Sequence, residues 1–429
     1  MWFTAVCRGR AALWAAPLLL VLSQPASRNA DASAARQARD EALPARAAAF
    51  VRTDVERFVR ELASLTEIPA PPFKEARRAA AFQELLRAAG LGDVEIDPEG
   101  NVLGLRKGTG AGGMLAVVAH LDTVFPDGTD VTVRREGTRL HAPGVGDNSR
   151  GLALLLAVVR AMHAAGIRTS SDVLFVGNVG EEGEGDLRGV KYLLTQGRYK
   201  DRITRFLAID GGDQGTITRG AVGSKRYRVV FTGPGGHSYG AFGLVNPAYA
   251  MAAAIARLSE THVPESPRTT FNVGVVRGGT SVNSIPAEVS MDVDMRSESC
   301  DELSALDAAF RRTVQTAVEE ENQVRSTREG QVSAEARVIG ERPCGETAQD
   351  APLTRTVAGV LQGFGLTPRY GFSSTDGNIP MSMGIPALTI GRGGPSGRSH
   401  APDEWTDVEP EGVIRSIEIA LAIILAVAS

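Results

Sequence analysis

Four short apolar runs organise the chain: Met114 to Ala119, Asp172 to Val179, Arg205 to Ile209 and Pro386 to Ile390. Each has the length of a buried strand. Helical stretches separate them, notably Asn148 to Ala165 and Leu353 to Phe364. Strands alternating with helices predict an α/β domain on a mostly parallel sheet, with helices on both faces. Upstream, Ala47 to Gly90 reads as helix broken by Pro69, Pro71 and Pro72, and residues 94–106 and 130–140 alternate like edge strands.

From 222 to 341 the rhythm changes. Ser224 to Thr232 reads as a strand and Asn246 to Glu260 as a helix started by Pro247. Thr269 to Arg277 and Glu288 to Arg296 read as two strands. A long helix follows over Asp301 to Asn322, with Leu303, Leu306, Phe310 and Val314 on one face, and Val332 to Ile339 closes as a strand. The order β-α-β-β-α-β is the split, ferredoxin-like arrangement. It predicts an α+β domain inserted into the first, whose two parts are then 45–221 and 342–429.

Composition adds limits. With 429 residues, 43% of them hydrophobic, the chain can build more than one core. Charged residues are 22% and the net charge is -4, which gives no basic footprint for nucleic acid. Arg8 and Arg10 precede an apolar run from Ala11 to Leu22, and Ala30 and Ala32 offer a small-x-small cleavage site. Residues 1–32 therefore read as a secretory signal and the mature protein as exported, periplasmic or secreted. The run is shorter than the roughly 20 residues of a membrane span. An uncleaved anchor is the alternative, and no stable membrane partner is expected. Cys7 lies in this segment. Cys300 and Cys344 show no metal-binding spacing. They read as buried thiols, although an oxidising compartment permits a disulfide.

Acids and histidines cluster where the predicted strands end, the usual place for ligand sites in such sheets. His120 stands two residues before Asp122, so both side chains point the same way. The imidazole can bind a metal while the carboxylate takes its other ring N–H. Alone, such a His is as often an ordinary paired polar residue. Asp147 follows Pro143-Gly144-Val145-Gly146 at a helix entry. A helix cap explains an Asp but not the glycines, whereas close approach of backbone to a ligand explains both. Glu181 and Glu182 would ordinarily be a solvated acidic turn. A buried strand feeds straight into them, however, and neighbouring carboxylates can divide the work of ligand and base. Asp210 precedes two glycines, and His400 ends a Gly-rich loop. Singly these read as a turn Asp and a surface His. Together they are a nitrogen and oxygen donor set without thiolate, which suits zinc or a similar ion. H-E-x-x-H and the phosphate-loop motif are both absent from the sequence.

On these residues the chain resembles the M20 metallopeptidase family, which includes glutamate carboxypeptidase, tripeptidase T and acetylornithine deacetylase. The matching motifs are Ala119-His120-Leu121-Asp122-Thr123-Val124, Gly144-Val145-Gly146-Asp147-Asn148, Gly180-Glu181-Glu182-Gly183, Ile209-Asp210-Gly211, Gly235-Gly236-His237-Ser238 and Ser399-His400. The resemblance implies two divalent ions, zinc in the first instance with cobalt or manganese as alternatives. His120 and Asp210 would hold one, Glu182 and His400 the other, and Asp147 would bridge them, followed by a cis peptide. Glu181 would be the general base and Asp122 would orient His120. The inserted domain would act as lid and pair two chains. His237 would reach the neighbouring chain's site, while Asn283 and Arg296 would bind a substrate carboxylate. Two such ions can polarise an amide carbonyl and acidify a water. The function that follows is hydrolysis of amide bonds in short peptides. The alternative is deacylation of N-acyl amino acids, and an exported solute-binding protein is the remote one.

Overall fold

The computed structural model describes residues 45–429 except residues 111 and 212. The expected signal segment lies outside the described residues. The main sheet contains β1 (Asp93–Ile96), β2 (Val102–Arg106), β3 (Gly112–His120), β4 (Ser171–Asn178), β5 (Ile203–Ile209) and β6 (Thr216–Ala221). A second sheet contains β7 (Gly223–Thr232), β8 (Thr269–Gly278), β9 (Glu288–Ser297) and β10 (Ser333–Arg342). The chain then returns to the main sheet with β11 (Gly345–Glu346), β12 (Arg369–Ser373) and β13 (Ala387–Ile390).

In space the main sheet runs β1-β2-β4-β3-β5-β13-β6-β11, with β12 beside β6. The four central strands, β4, β3, β5 and β13, are mutually parallel. They are the four apolar runs of the sequence. Their continuous hydrophobicity follows from burial on both faces. Leu115, Val117, Phe175, Leu207 and Ile209 enter one core, packed against α1 (Ala45–Thr66), α2 (Ser149–Ala164) and α3 (Pro410–Ala428). Met114, Ala116, Val118, Leu174 and Phe206 enter the other, with the helix Arg188–Thr195. The flanks β1-β2-β4 and β13-β6-β11 pair antiparallel, so the sheet is mixed. Residues 130–140 are not at its edge. Arg134–Glu136 and Arg139–His141 form a separate small sheet with Ser396–Gly397 and Trp405–Asp407.

The second sheet has the order β8-β9-β7-β10, antiparallel throughout. Alternation along β7 sends Tyr227, Val229 and Phe231 into a core with the helices Pro247–Ser259 and Cys300–Val324. The other face carries cross-strand ion pairs, Arg226 with Asp294 and Arg228 with Asp292. This is the split β-α-β-β-α-β unit read from the sequence. The chain crosses into it at Val222 and returns at Pro343. The Asn378 side-chain amide donates to the carbonyls of both crossing residues, at 2.9 Å each. Cys300 and Cys344 form a disulfide, against the reading as thiols. The start of a helix and the return crossing bring their Cα atoms to 5.6 Å, a proximity that a spacing of 44 residues does not reveal.

Candidate active site

The parallel strands end side by side, and their first loop residues meet. His120 closes β3 and is fully buried. Its Nδ1 lies 3.0 Å from the Asp122 backbone carbonyl. A carbonyl only accepts, so Nδ1 carries the proton and Nε2 is left to face Asp147 Oδ1, 3.1 Å away. The Asp122 carboxylate stands beside His120 and also reaches the next loop. One oxygen sits 3.6 Å from His120 Nδ1, while the two oxygens accept the backbone N–H groups of Glu181 at 2.9 Å and Glu182 at 2.7 Å. Asp122 thus joins the end of β3 to the loop after β4.

Asp147 does not cap the helix after it; Asn148 occupies the cap position. The peptide between the two is cis. The Asn148 amide donates to the Ile209 carbonyl at 2.8 Å, tying this loop to the end of β5. The neighbouring glycines have a different use from the one inferred. Glu404, fully buried, accepts N–H groups from Gly144 at 3.0 Å, Gly146 at 2.9 Å and Asp147 at 2.7 Å. A Cβ at position 146 would come within 2.8 Å of Glu404 Oε1, and Gly144 has φ +76°. The close approach is to a carboxylate of the chain itself.

On the other side of Asp147, His400 Nε2 lies 3.0 Å from Glu182 Oε1 and 3.5 Å from Asp147 Oδ2. Donor atoms of His120, Asp147 and Glu182 all lie within 4.8 Å of one another. Asp210, at the end of β5, stands outside that cluster. Its carboxylate accepts from Arg392 Nη1 at 3.0 Å. Glu181 Oε1 accepts from Arg342 Nη1 at 3.0 Å, and a second Arg342 nitrogen donates to the Glu181 carbonyl. Arg342 ends β10, so the inserted unit reaches the candidate base directly.

The charges shift one another. Burial disfavours the charged form of His120, but Asp122 and Asp147 outweigh it and hold its pKa well above the usual histidine value. Burial also opposes ionisation of Asp147, yet Arg392, His120 and His400 hold it well below the usual carboxylate range. Hydrogen bonds to Asp147 and Glu182 push His400 up to about 10. Burial raises Glu181 well above its usual value; Arg342 counters this and Glu182 adds to it. Burial pushes Asp376, bonded to Asn178, up to about 7, and it does the same to Glu404 beside Asp147. Each imidazole–carboxylate contact here shares a proton that a divalent cation can replace. With one ring nitrogen of His120 committed to a carbonyl and carboxylates converging on the other, the donor set fits such an ion.

Asp147, Glu181, Glu182, Asp210, His400, Arg296, Arg342 and Arg392 are among the residues that line a cavity of about 530 Å³, and His120 lies buried behind Asp147. Arg296 is there as expected, paired with Asp294 at 2.7 Å. His237 and Asn283 are not among the described residues that line it. Both are exposed in the inserted unit: His237 ends the two-residue strand Gly236–His237, paired with Ser284–Ile285, and Asn283 lies in the turn before that partner, while His237 Nδ1 accepts from the Tyr239 and Gly240 amides at 3.2 Å. Sequence reading missed Arg342, Asp376 and Glu404. For Asp376, the loop Ser373 to Asn378 was a visible signal. For the other two, only spatial partners reveal them.

Comparison with known proteins identifies the family and the fold. The chain is 25% identical over 198 residues to carboxypeptidase G2 of Pseudomonas sp. (strain RS-16), covering 46% of this chain and about half, 47%, of that relative. It is 23% identical over 354 residues to succinyl-diaminopimelate desuccinylase of Corynebacterium glutamicum, covering 80% and 90%. The fold is shared with aminopeptidase PepT of Bacillus cereus, with a TM-score of 0.71, 22% identity and coverage of 87% and 99%. Residues 116–428 match Peptidase family M20/M25/M40, and the chain belongs to that family.

Proposed function

We propose that the chain is a di-metal hydrolase that cleaves the amide bond of short peptides. The observation that carries this reading is the convergence of donor atoms of His120, Asp147 and Glu182, the two acids lining one cavity with Glu181. His120 and Asp210 would hold one ion, Glu182 and His400 the other, and Asp147 would serve both. Zinc is the first choice, with cobalt or manganese as alternatives. When bound, such ions supply Lewis acidity to the scissile carbonyl and lower the pKa of water.

The remaining work falls to the chain. Glu181 accepts the proton of the attacking water and passes it to the leaving amine, while Arg342 fixes the orientation of its carboxylate. Arg296 meets a substrate carboxylate, with Asn283 and, from a second chain, His237 at the far side. We also propose homodimerisation through the inserted unit, and export with loss of residues 1–32. Sequencing the N-terminus of secreted protein tests the latter, and a start at Met1 would refute it.

A second reading, deacylation of N-acyl amino acids, is favoured by the long match to the desuccinylase. A panel of di- and tripeptides against N-acetyl and N-succinyl amino acids, with added Zn²⁺, Co²⁺ or Mn²⁺, separates the two. A chelator should abolish turnover and metal should restore it. Full activity in metal-free protein would sink both.

A further inference from the structure

Arg392 stands two residues beyond β13, where its backbone N–H donates to the Gly211 carbonyl at 3.1 Å. That bond places it beside Asp210. The Arg392 side chain is 4% exposed. Nη1 donates to Asp210 Oδ1 at 3.0 Å and lies 3.1 Å from Asp147 Oδ1, and Nη2 donates to Ser399 Oγ at 3.1 Å. Burial works against its charge, but Asp147, Asp210 and Glu404 outweigh burial. An arginine does not lose its proton in a protein. A fixed cation therefore already joins the two carboxylates to which one ion is assigned, and Asp210 is turned toward it, outside the His120–Asp147–Glu182 cluster. The opposite oxygen of Asp147 and Glu182 Oε1 lie 3.5 Å and 3.0 Å from His400 Nε2. His400 is also outside that cluster, but its side chain is 53% exposed and free to adjust, and the nearest guanidinium on this side, Arg342, makes its ion pair with Glu181.

We propose that Arg392 is a resident cation that competes with the ion on the Asp210 side, so that the two ions bind this chain with unequal affinity. The ion on the Glu182 and His400 side loads first. The other must share Asp147 and Asp210 with a guanidinium that stands a few ångströms away. Like charges at that range repel strongly where water is excluded. Without metal, Arg392 neutralises Asp210 and shares Asp147 with His120 and His400, so it stabilises the empty site and weakens one half of the filled one.

This rests on the metal-centre reading, and the experiment separates the two. Metal-stripped full-length protein is dialysed against buffers of graded free Zn²⁺ or Co²⁺, and bound metal per chain is measured by mass spectrometry. The wild type should fill in two steps, the second needing at least about tenfold more free metal. Arg392→Met should close the gap, Arg392→Lys should keep it, and Asp210→Asn should lose only the second step. Thermal unfolding gives an independent readout that reports folding as well. Metal-free Arg392→Met should melt below the wild type yet gain more from saturating Zn²⁺. Equal loading of both ions in the wild type would overturn the proposal, as would an unchanged gap or weaker binding in Arg392→Met. If neither protein takes up metal, the metal-centre reading itself falls and this proposal falls with it.

Discussion

The loops at the ends of β3, β4 and β5 and the loops of the inserted sheet place their residues by opposite means. At the strand ends, buried side chains bind the backbone of the loop they position. Asp122 takes the amides of Glu181 and Glu182, Glu404 takes those of Gly144, Gly146 and Asp147, and Asn148 reaches the Ile209 carbonyl. In the inserted unit, His237 and Asn283 stand among exposed side chains: Tyr239 is 90% exposed, Phe242 86%, and Val282 wholly so. Groups that must meet one another within an ångström are fixed through their main chain by buried acceptors. His237 and Asn283 have no such buried acceptor and stand exposed.

The largest effect is expected inside the tight region. Glu181→Gln should lose about 10²–10⁴-fold in turnover while keeping metal content and melting temperature. Loss of metal would instead make Glu181 a ligand. Next is Glu404→Ala, which touches no reacting group yet strands three buried N–H donors. It should cost about 1–3 kcal/mol of stability and about 10–100-fold in metal affinity, read by denaturant unfolding and metal titration. An unchanged metal affinity would mean that the Asp147 loop holds itself.

The open region predicts a smaller, recoverable effect. If His237 serves a partner's site, mixing His237→Ala with Glu181→Gln chains should restore part of the activity, since each mixed dimer holds one complete site. No recovery from verified mixed dimers, or a fully active monomer, would count against it. Smallest is a pH effect on the inserted unit alone. Burial works to raise the Asp307 carboxyl, but Tyr227, Lys225 and Arg311 prevail and hold it below its ordinary value. Its stabilisation is then fully present above the unfolded value of about 3.9 and lost as pH falls toward the lower folded value. Asp307→Asn should lower the melting temperature near neutrality and converge with the wild type in acid. A constant difference at all pH values would exclude this linkage.

The parallel strands, the split β-α-β-β-α-β unit and the residues at the strand ends were legible because each depends on local pattern. Continuous apolar runs encode two buried faces, and alternation along β7 encodes one. What escaped depends on distance along the chain. Glu404 meets Asp147 across 257 residues and Arg342 meets Glu181 across 161. Neither lies in a pattern that announces a partner. The glycines before Asp147 correctly signalled a close approach, but the approaching group was supplied by that remote glutamate. Short flanking strands such as β11 escaped for another reason: two residues carry no period.

The Asn378 amide that grips both Val222 and Pro343 has a bearing on descent. A segment that leaves and rejoins the sheet at one clasped point can be lengthened, trimmed or exchanged as a cassette, because its ends are already held together. The strand-end loops need not move when the cassette changes. Selection can therefore rework the part of the cavity wall that residues 223–341 supply, such as Arg296, provided that Arg342 keeps its hold on Glu181.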